Sequence, residues 1–211
     1  MSQYKDYGYD NDQLSGEHAY ILPVLRKKMK NANAETTLDI GCGNGSVARQ
    51  LMNEGFDMYG IDASEKGITL AKAKHPDRFF LVDVTENKLH KDLAGKRFDT
   101  IISVEVIEHL YDPRAFVLLC KSILLDNPQG GNLILTTPYH GYFKNLILAL
   151  TGKLDNHFSV LWDGGHIKFW SKKTMTKLLE EAGFTVEEFS GAGRIPFLWK
   201  SMIIRASIRQ S

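Results

Sequence analysis

Cysteine, long apolar runs and an excess of charge of one sign are all scarce or missing in this sequence. The 211 residues contain two cysteines, Cys42 and Cys120, whose separation fits no metal-binding spacing. We therefore expect two reduced thiols in a cytoplasmic protein. No run of about 18 apolar residues occurs, so we predict no transmembrane segment. Residues 1–6 also lack the apolar stretch that is typical of a signal peptide.

The charge of the chain is nearly balanced, with 26 basic and 25 acidic residues and a formal net charge of +1. A nucleic-acid-binding domain usually carries a basic excess or a basic patch, so we expect a small-molecule partner and no nucleic acid. With 43% hydrophobic residues, a chain of this length can bury a sizeable core. We predict a single domain over residues 1–211, and the sequence does not indicate its oligomeric state.

Short apolar or β-branched runs alternate with helical patterns along most of the chain. The predicted strands are 37–40, 57–61, 79–82, 98–103 and 133–137, followed by 185–189 and about 199–208. The predicted helices are 15–30, 46–53, 64–74, 113–125, 143–150 and 171–182, with Ser15, Ser64, Asp112 and Ser171 as caps. Strands that alternate with helices are typical of an α/β fold with a parallel, doubly wound sheet.

Two segments fall outside this alternation. Residues 1–14 are polar and rich in tyrosine, and we predict an arm that is mobile or becomes ordered on a ligand. Tyr4, Tyr7 and His18 are the candidates to close over that ligand. Residues 139–170 follow the fifth predicted strand and are rich in aromatic residues and glycine, and we predict a lid over the carboxyl edge of the sheet.

The first predicted strand is followed at once by a glycine-rich turn with Gly41, Gly43 and Gly45. Glycine allows a sharp turn into a helix and a close approach of a ligand to the backbone. Asp62 ends the second strand, where a carboxylate can accept hydrogen bonds from ribose hydroxyls, and Asp83 ends the third. Turn and cap residues without a ligand are the alternative interpretation. The spacing GxGxG differs from the GxGxxG pattern of dinucleotide-binding proteins.

The segments LDIGCGNG, YGIDAS, LVDV and FDTIISVEVIEHL, in that order within residues 36–138, resemble the class I S-adenosylmethionine-dependent methyltransferases. The resemblance implies a Rossmann-like α/β domain with a seven-stranded sheet, an insertion after the fifth strand, and S-adenosylmethionine as the methyl donor. It also implies the residues that bind this cofactor. Asp39, Gly41, Gly43, Gly45 and Asp62 would lie on its methionine and ribose side, Ala63, Asp83 and Val84 around its adenine, and Ser103 near its sulfonium.

Two carboxylates and an imidazole follow the fourth predicted strand, as Glu105, Glu108 and His109. In one helical turn, residues at i, i+3 and i+4 share a face, whereas a solvent-exposed first turn, where acids favour a helix N-terminus, is the alternative. A second histidine, His166, precedes the last predicted helix. The ExxEH run with a later histidine resembles the O-methyltransferases of ubiquinone biosynthesis and the enzymes that methylate the 3′-terminal 2′-hydroxyl of small RNAs. This resemblance implies that Glu105, Glu108, His109 and His166 hold a divalent metal, which would be Mg²⁺, Mn²⁺, Fe²⁺ or Zn²⁺.

These features together predict an enzyme, namely a metal-assisted, S-adenosylmethionine-dependent O-methyltransferase of a small molecule with adjacent hydroxyls, such as a catechol or a quinone precursor. The alternatives are a metal-independent small-molecule methyltransferase, an RNA 3′-terminal 2′-O-methyltransferase, and a cofactor-binding protein without turnover. His140 is the candidate general base.

The sequence constrains the acceptor side less. The apolar run Phe143–Leu150 fits either core packing or a wall for a lipophilic acceptor. The basic, apolar C-terminus fits either a final strand or peripheral membrane contact. Further candidates to complete the pocket are His157, Phe158, Trp162, Arg194, Phe197 and Trp199.

Overall fold

A seven-stranded sheet forms the centre of the protein. The computed structural model describes residues 8–84, 89–158, 161 and 165–209, except for the side chains of Asn156 and His157. The strands are β1 (Thr36–Ile40), β2 (Asp57–Asp62), β3 (Phe79–Leu81), β4 (Thr100–Val104), β5 (Gly131–Pro138), β6 (Thr185–Ala192) and β7 (Ser201–Ile208). Their order in the sheet is β3-β2-β1-β4-β5-β7-β6, which confirms the predicted α/β fold with seven strands.

Helices cover both faces of this sheet. They are α1 (His18–Asn31), α2 (Ser46–Met52), α3 (Glu65–Lys72), α4 (Pro113–Leu125), α5 (Tyr142–Leu150), α6 (Leu154–Phe158) and α7 (Lys172–Glu181). One core lies under α1, α2 and α3 and includes Leu25, Leu51 and Ile68. A second core lies under α4 and α7 and includes Val117 and Leu179. Two cores on opposite faces are what a doubly wound sheet requires.

The last strand differs from the others in direction. β1 pairs in parallel with β2 and β4, and β4 pairs in parallel with β5, whereas β7 runs antiparallel to both β5 and β6. The prediction of a wholly parallel sheet is therefore wrong at β7. The physical reason is the direct connection through residues 193–200, since a short loop joins antiparallel neighbours while parallel neighbours need a crossover.

Local capping signals account for several helix starts. Ser64, Asp112 and Ser171 each accept a hydrogen bond from a backbone N–H in the first turn of α3, α4 and α7, as predicted. The predicted cap at Ser15 is wrong, because α1 begins at His18. The Ser15 N–H instead donates to Nδ1 of His18 at 3.3 Å.

The carboxyl ends of β1, β2, β4 and β5 lie at one edge of the sheet. There β4 leads into a single 3-10 turn, Ile107–His109, and β5 leads into α5 and α6. The start of β7 lies at the same edge, because Ser201 pairs with both Pro138 and Ala192. In α/β sheets, ligands bind outside this edge. Among the described residues, no helix is both long and apolar enough to cross a membrane.

A buried lysine docks α1 on the antiparallel strands. Lys28 is 2% exposed, and its ammonium lies 3.3 Å from a carboxylate oxygen of Glu188 on β6. Asn31 and Arg205 also donate hydrogen bonds to Glu188. Burial lowers the pKa of Lys28, and the charge of Glu188 opposes that shift. One carboxylate therefore serves three donors from two elements.

We expect Glu188→Gln to lower the free energy of unfolding by about 1–3 kcal/mol, because it leaves the Lys28 ammonium buried without its anion. Lys28→Met removes the buried cation while Arg205 still pairs with Glu188, so it should change that free energy by less than about 1 kcal/mol. Urea denaturation followed by circular dichroism measures both values. Equal losses in the two variants would contradict the assigned role of Glu188.

Candidate active site

The glycine-rich turn after β1 needs glycine for two reasons. Gly41, Gly43 and Gly45 all have positive φ, a conformation that L side chains rarely adopt. A Cβ on Gly41 would lie 2.4 Å from a side-chain methyl of Val106, and one on Gly43 would lie 2.2 Å from the Tyr9 hydroxyl. Neighbouring side chains thus approach the backbone of this turn closely from two sides.

Asp62, at the end of β2, holds this turn in place. Its carboxylate accepts hydrogen bonds from the N–H of Gly43 and the N–H of Ser64, both at 2.7 Å. An ionised carboxylate has about four lone-pair sites, so two backbone bonds leave capacity for hydroxyl donors. This geometry is compatible with the role at ribose hydroxyls that the resemblance implies.

Asp39 and Ser103 are buried on the neighbouring strands β1 and β4. Among the described residues, none donates a hydrogen bond to Oδ1 of Asp39. Burial, and then the nearby charge of Asp62, raise the pKa of Asp39 to about 8. The Ser103 hydroxyl donates to the carbonyl of Ile40 at 2.8 Å, which ties the end of β4 to the end of β1.

The remaining predicted cofactor residues, Ala63, Asp83 and Val84, are partly exposed and follow β2 and β3 at the same edge. The structure therefore brings all the predicted cofactor-binding residues to the ends of β1 to β4. Their contact with a cofactor stays a prediction.

The described part of the N-terminal arm lies against the glycine-rich turn. The side chains of Asn44 and Arg49 donate hydrogen bonds to backbone carbonyls of residues 11–13. The Asp12 carboxylate lies 2.6 Å from the Lys74 ammonium, which follows α3. Residues 8–14 are thus ordered by contacts with the protein itself.

Glu105 does not share a helical face with Glu108 and His109, so that prediction is wrong. Glu105 has a φ of 55°, and its N–H donates to the Thr136 hydroxyl on β5 at 3.0 Å. Its carboxylate accepts hydrogen bonds from the hydroxyls of Thr136, at 2.8 Å, and Ser201, at 3.2 Å. Bonds to β5 and β7 fix this residue before the 3-10 turn begins.

The other three predicted metal ligands do lie together. One ligand atom from each of Glu108, His109 and His166 lies within 4.8 Å of the others, and the two imidazole centroids are 5.0 Å apart. Glu108 is fully buried. No described residue donates a hydrogen bond to either of its carboxylate oxygens. The alternative of a solvent-exposed first turn is therefore excluded.

Backbone hydrogen bonds hold the segment with His166 against the 3-10 turn. Both N–H groups of residues 167–168 donate to the carbonyl of Glu108, at 2.9 and 3.0 Å. Nδ1 of His109 lies 3.2 Å from the carbonyl of Gly165. In the tautomer that donates this bond, Nε2 carries the lone pair that a metal would need.

Burial dominates the electrostatics of this group. It raises the pKa of Glu108, and the charge of Glu105 raises it further. It also raises the pKa of Glu105 to about 7, against the hydrogen bond from Thr136. Burial and the neighbouring His109 lower the pKa of His166. These shifts all disfavour the charged forms, as expected where like charges are buried without a balancing ion.

The candidate base His140 follows β5 and is buried. Its ring centroid lies 5.1 Å from that of Phe169 and 6.0 Å from that of Phe158, in a stacked arrangement with the latter. Its backbone N–H donates to the carbonyl of Trp170. These contacts position the ring among aromatic groups, and its role as a base stays a prediction.

The other pocket candidates are scattered. Phe197 is exposed in the loop between β6 and β7, Trp199 packs against the ring of Tyr139, and Arg194 donates a hydrogen bond to Tyr20. Trp162 and the side chain of His157 lie outside the described residues. The structure therefore gives these candidates no common site.

Sequence analysis did not single out Tyr9 or Lys144, which both lie at this edge. Tyr9 contacts the glycine-rich turn, whereas Tyr4 and Tyr7 lie outside the described residues. Lys144 is the buried residue of α5. A single charge within an otherwise apolar run was the signal available for Lys144; for Tyr9, proximity in sequence to Tyr7 gave none.

Comparisons with known proteins agree with this geometry. A family model described as a methyltransferase domain matches residues 9–188. A ubiquinone biosynthesis O-methyltransferase of Dinoroseobacter shibae is 30% identical over 151 residues, which are 69% of this chain and 58% of that protein. This chain therefore matches less than two thirds of that relative's length.

Solved structures show the same fold. Magnesium protoporphyrin IX methyltransferase from Synechocystis PCC 6803, with bound SAH, has a TM-score of 0.67 at 20% identity, covering 92% of this chain and 84% of that one. The methyltransferase domain of the bacterial protein CtHen1 has a TM-score of 0.65 at 23% identity, covering 92% of this chain and 100% of that one. The family match and the seven-stranded sheet together show that this chain belongs to the methyltransferase domain family, within the class I S-adenosylmethionine-dependent methyltransferases.

Proposed function

We propose that this protein is an S-adenosylmethionine-dependent O-methyltransferase that acts, with a divalent metal, on a small molecule with adjacent hydroxyl groups. The observation that carries this proposal is the group formed by Glu108, His109 and His166 just beyond β4. The same strand carries Ser103, which the resemblance puts near the methyl donor. The similarity to a ubiquinone biosynthesis O-methyltransferase supports the same reaction class.

The charges around the glycine-rich turn favour a cationic methyl donor. Asp39 and Asp62 are buried beside this turn, and Gly41–Gly45 contains no lysine such as a phosphate-binding loop would carry. We propose S-adenosylmethionine as the cofactor, because its sulfonium is a cation and its ribose hydroxyls are donors for the Asp62 carboxylate.

The side chains present fit a divalent metal. Glu108 is a buried carboxylate without a hydrogen-bond donor among the described residues, and an unpaired buried anion is costly until a cation balances it. Two imidazoles with a carboxylate suit Mn²⁺, Fe²⁺ or Zn²⁺ at least as well as Mg²⁺. A metal bound there would lower the pKa of an acceptor hydroxyl. Glu105 could join as the fourth predicted ligand only by releasing Thr136 and Ser201.

The protein's own residues would orient the acceptor and keep water away. The carbonyl of Gly165 fixes the His109 ring, and the Glu108 carbonyl fixes the segment with His166. A site held this way needs little reorganisation when the acceptor binds. His140 remains the proposed proton acceptor, in a setting where two phenylalanine rings reduce the local polarity.

The acceptor would carry a lipophilic part. Tyr142, Phe143 and Leu150 on the outer face of α5 are 77%, 62% and 78% exposed, and contiguous exposed apolar surface marks an interaction site. We propose that this face receives the lipophilic part and makes peripheral contact with a membrane, where aromatic side chains are favoured. A location in the cytoplasm stays a prediction from the two free thiols of Cys42 and Cys120.

We expect Glu108→Ala and His166→Ala each to reduce methyl transfer at least about 100-fold, because each removes a metal ligand. The dissociation constant for S-adenosylhomocysteine should stay within about twofold, since neither residue lies at the ends of β1 to β3. Initial rates with labelled S-adenosylmethionine and calorimetric titration measure the two effects. His75→Ala, in the loop before β3, is the matched control and should leave both unchanged.

Unchanged turnover of both variants in chelator-treated buffer would rule out metal assistance and favour a metal-independent methyltransferase. The acceptor panel separates the other rivals. Methylation of a short RNA duplex but of no catechol would favour an RNA 2′-O-methyltransferase, which the net charge of +1 disfavours. Cofactor binding without any turnover would favour a binding protein.

We expect Asp39→Asn to change how stability depends on pH. The pKa of Asp39 is about 8 in the folded protein and about 4 in an unfolded chain, so the folded state binds more protons between these values. Its contribution to the free energy of unfolding therefore falls as pH rises from about 4 to about 8. Relative to the variant, the wild type should lose up to about 1.4 kcal/mol per pH unit. Urea denaturation between about pH 5 and pH 8 tests this, and parallel profiles would contradict it.

A further inference from the structure

The helix α5 is inverted relative to an ordinary amphipathic helix. Its apolar residues Tyr142, Phe143 and Leu150 are largely exposed, whereas Lys144 is 8% exposed. Lys144 is the buried residue of this helix. The prediction that the apolar run packs into the core is therefore wrong. Lysine is almost never this buried unless a partner stabilises it, so the inverted orientation calls for an anion or acceptor near the ammonium.

The surroundings of Lys144 supply such partners at the start of β7. Its ammonium donates to the carbonyl of Lys200 at 3.3 Å. The next residue, Ser201, donates its hydroxyl to the Glu105 carboxylate at 3.2 Å. The ammonium of the helix and the carboxylate after β4 therefore meet across one dipeptide. Each is the other's electrostatic neighbour, since Glu105 favours the charged form of Lys144 and Lys144 favours that of Glu105.

Glu105 is unusual in its own right. Its φ of 55° is uncommon for a residue other than glycine, and such conformations persist only where the surrounding structure holds them. Thr136 and Ser201 bind its carboxylate, but both are neutral donors. The remaining charges at the opening are Glu17 and Lys200, which lie 3.7 Å apart and are largely exposed. Lys144 is thus the buried cation available to this buried anion among the described residues.

We propose that Lys144 is a positioning residue, whose ammonium anchors the lid helix α5 to the Glu105 carboxylate and so keeps the acceptor side of the site closed. Glu105 then serves the lid rather than the metal. The contact explains why α5 directs its single charge inward and its apolar residues outward. It also couples the acceptor pocket to β4 through an ion pair that a small movement of α5 would break. The proposal concerns the site of the proposed function and rests on it only for the acceptor measurement below.

The test is a double-mutant cycle of Lys144→Met and Glu105→Gln in chelator-treated buffer without acceptor. Both substitutions keep the side-chain length while removing the charge. Lys153→Met, an exposed lysine just beyond α5, is the matched control. The readout is the rate of cleavage by thermolysin, which attacks large apolar residues such as those of α5, together with the midpoint of thermal unfolding.

We expect Lys144→Met to speed cleavage within residues 142–158 about tenfold, because the helix loses its anchor. In the Glu105→Gln background the same substitution should have less than about half that effect, since the two charges act as a pair. Lys144→Arg, which keeps the cation, should restore most of the protection. Equal effects of Lys144→Met in both backgrounds, or no effect at all, would overturn the proposal.

Once an acceptor is available, Lys144→Met should raise the KM for the acceptor at least about fivefold and leave the dissociation constant for S-adenosylhomocysteine unchanged. A merely structural lysine would change the stability without this selective effect. If no acceptor is methylated at all, the proposed function fails while the proteolysis cycle still decides on the anchor. The two failures are therefore distinguishable.

Discussion

Several carboxylates are buried close together at the carboxyl edge of the sheet, and few cations from the protein accompany them. Asp39, Glu105 and Glu108 all have pKa values raised by burial, and Asp62 is buried beside the first of them. Burial of uncompensated charge is among the most expensive features that a fold can contain. Such clusters occur at functional sites, where a ligand supplies the missing charge. A sulfonium at the Asp39 side and a divalent cation at Glu108 would each relieve part of this cost.

The topology explains why these groups meet although they are distant in the chain. Parallel strands end at one edge, so the residues that follow β1, β2 and β4 converge there. The antiparallel β7 adds Ser201 to the same edge from the other direction. Backbone bonds from residues 167–168 to Glu108 then bring His166 back across the insertion. The cofactor side and the acceptor side of the site therefore share β4, where Ser103 and Glu105 are two residues apart.

Features that depend on local chemistry were predictable from the sequence. Ser64 and Asp112 cap their helices as expected, because a cap is set by a few neighbouring residues. The glycine-rich turn and Asp62 were recognisable because only certain residue types permit that geometry. The meeting of Glu108, His109 and His166 followed from the resemblance, since nothing in their spacing alone fixes a contact between residues 109 and 166.

Features that depend on tertiary contacts were not predictable. The conformation of Glu105 is fixed by Thr136 and Ser201, residues that a helical spacing rule does not consider. The inverted orientation of α5 could not be read from its hydrophobicity, because an apolar run normally faces the core. The buried position of Lys144 follows from the place of Glu105, so one missed contact led to the other.

The central claim is that cations balance the buried carboxylates at this edge, with the metal held by Glu108, His109 and His166. Its most direct test is a crystal structure of the protein with S-adenosylhomocysteine and Mn²⁺, with data collected at the manganese absorption edge. The account predicts one strong anomalous peak about 2.0–2.3 Å from a Glu108 oxygen and from a nitrogen of each imidazole. A fully bound cofactor with no peak at these three residues, or with the metal at other side chains, would contradict it.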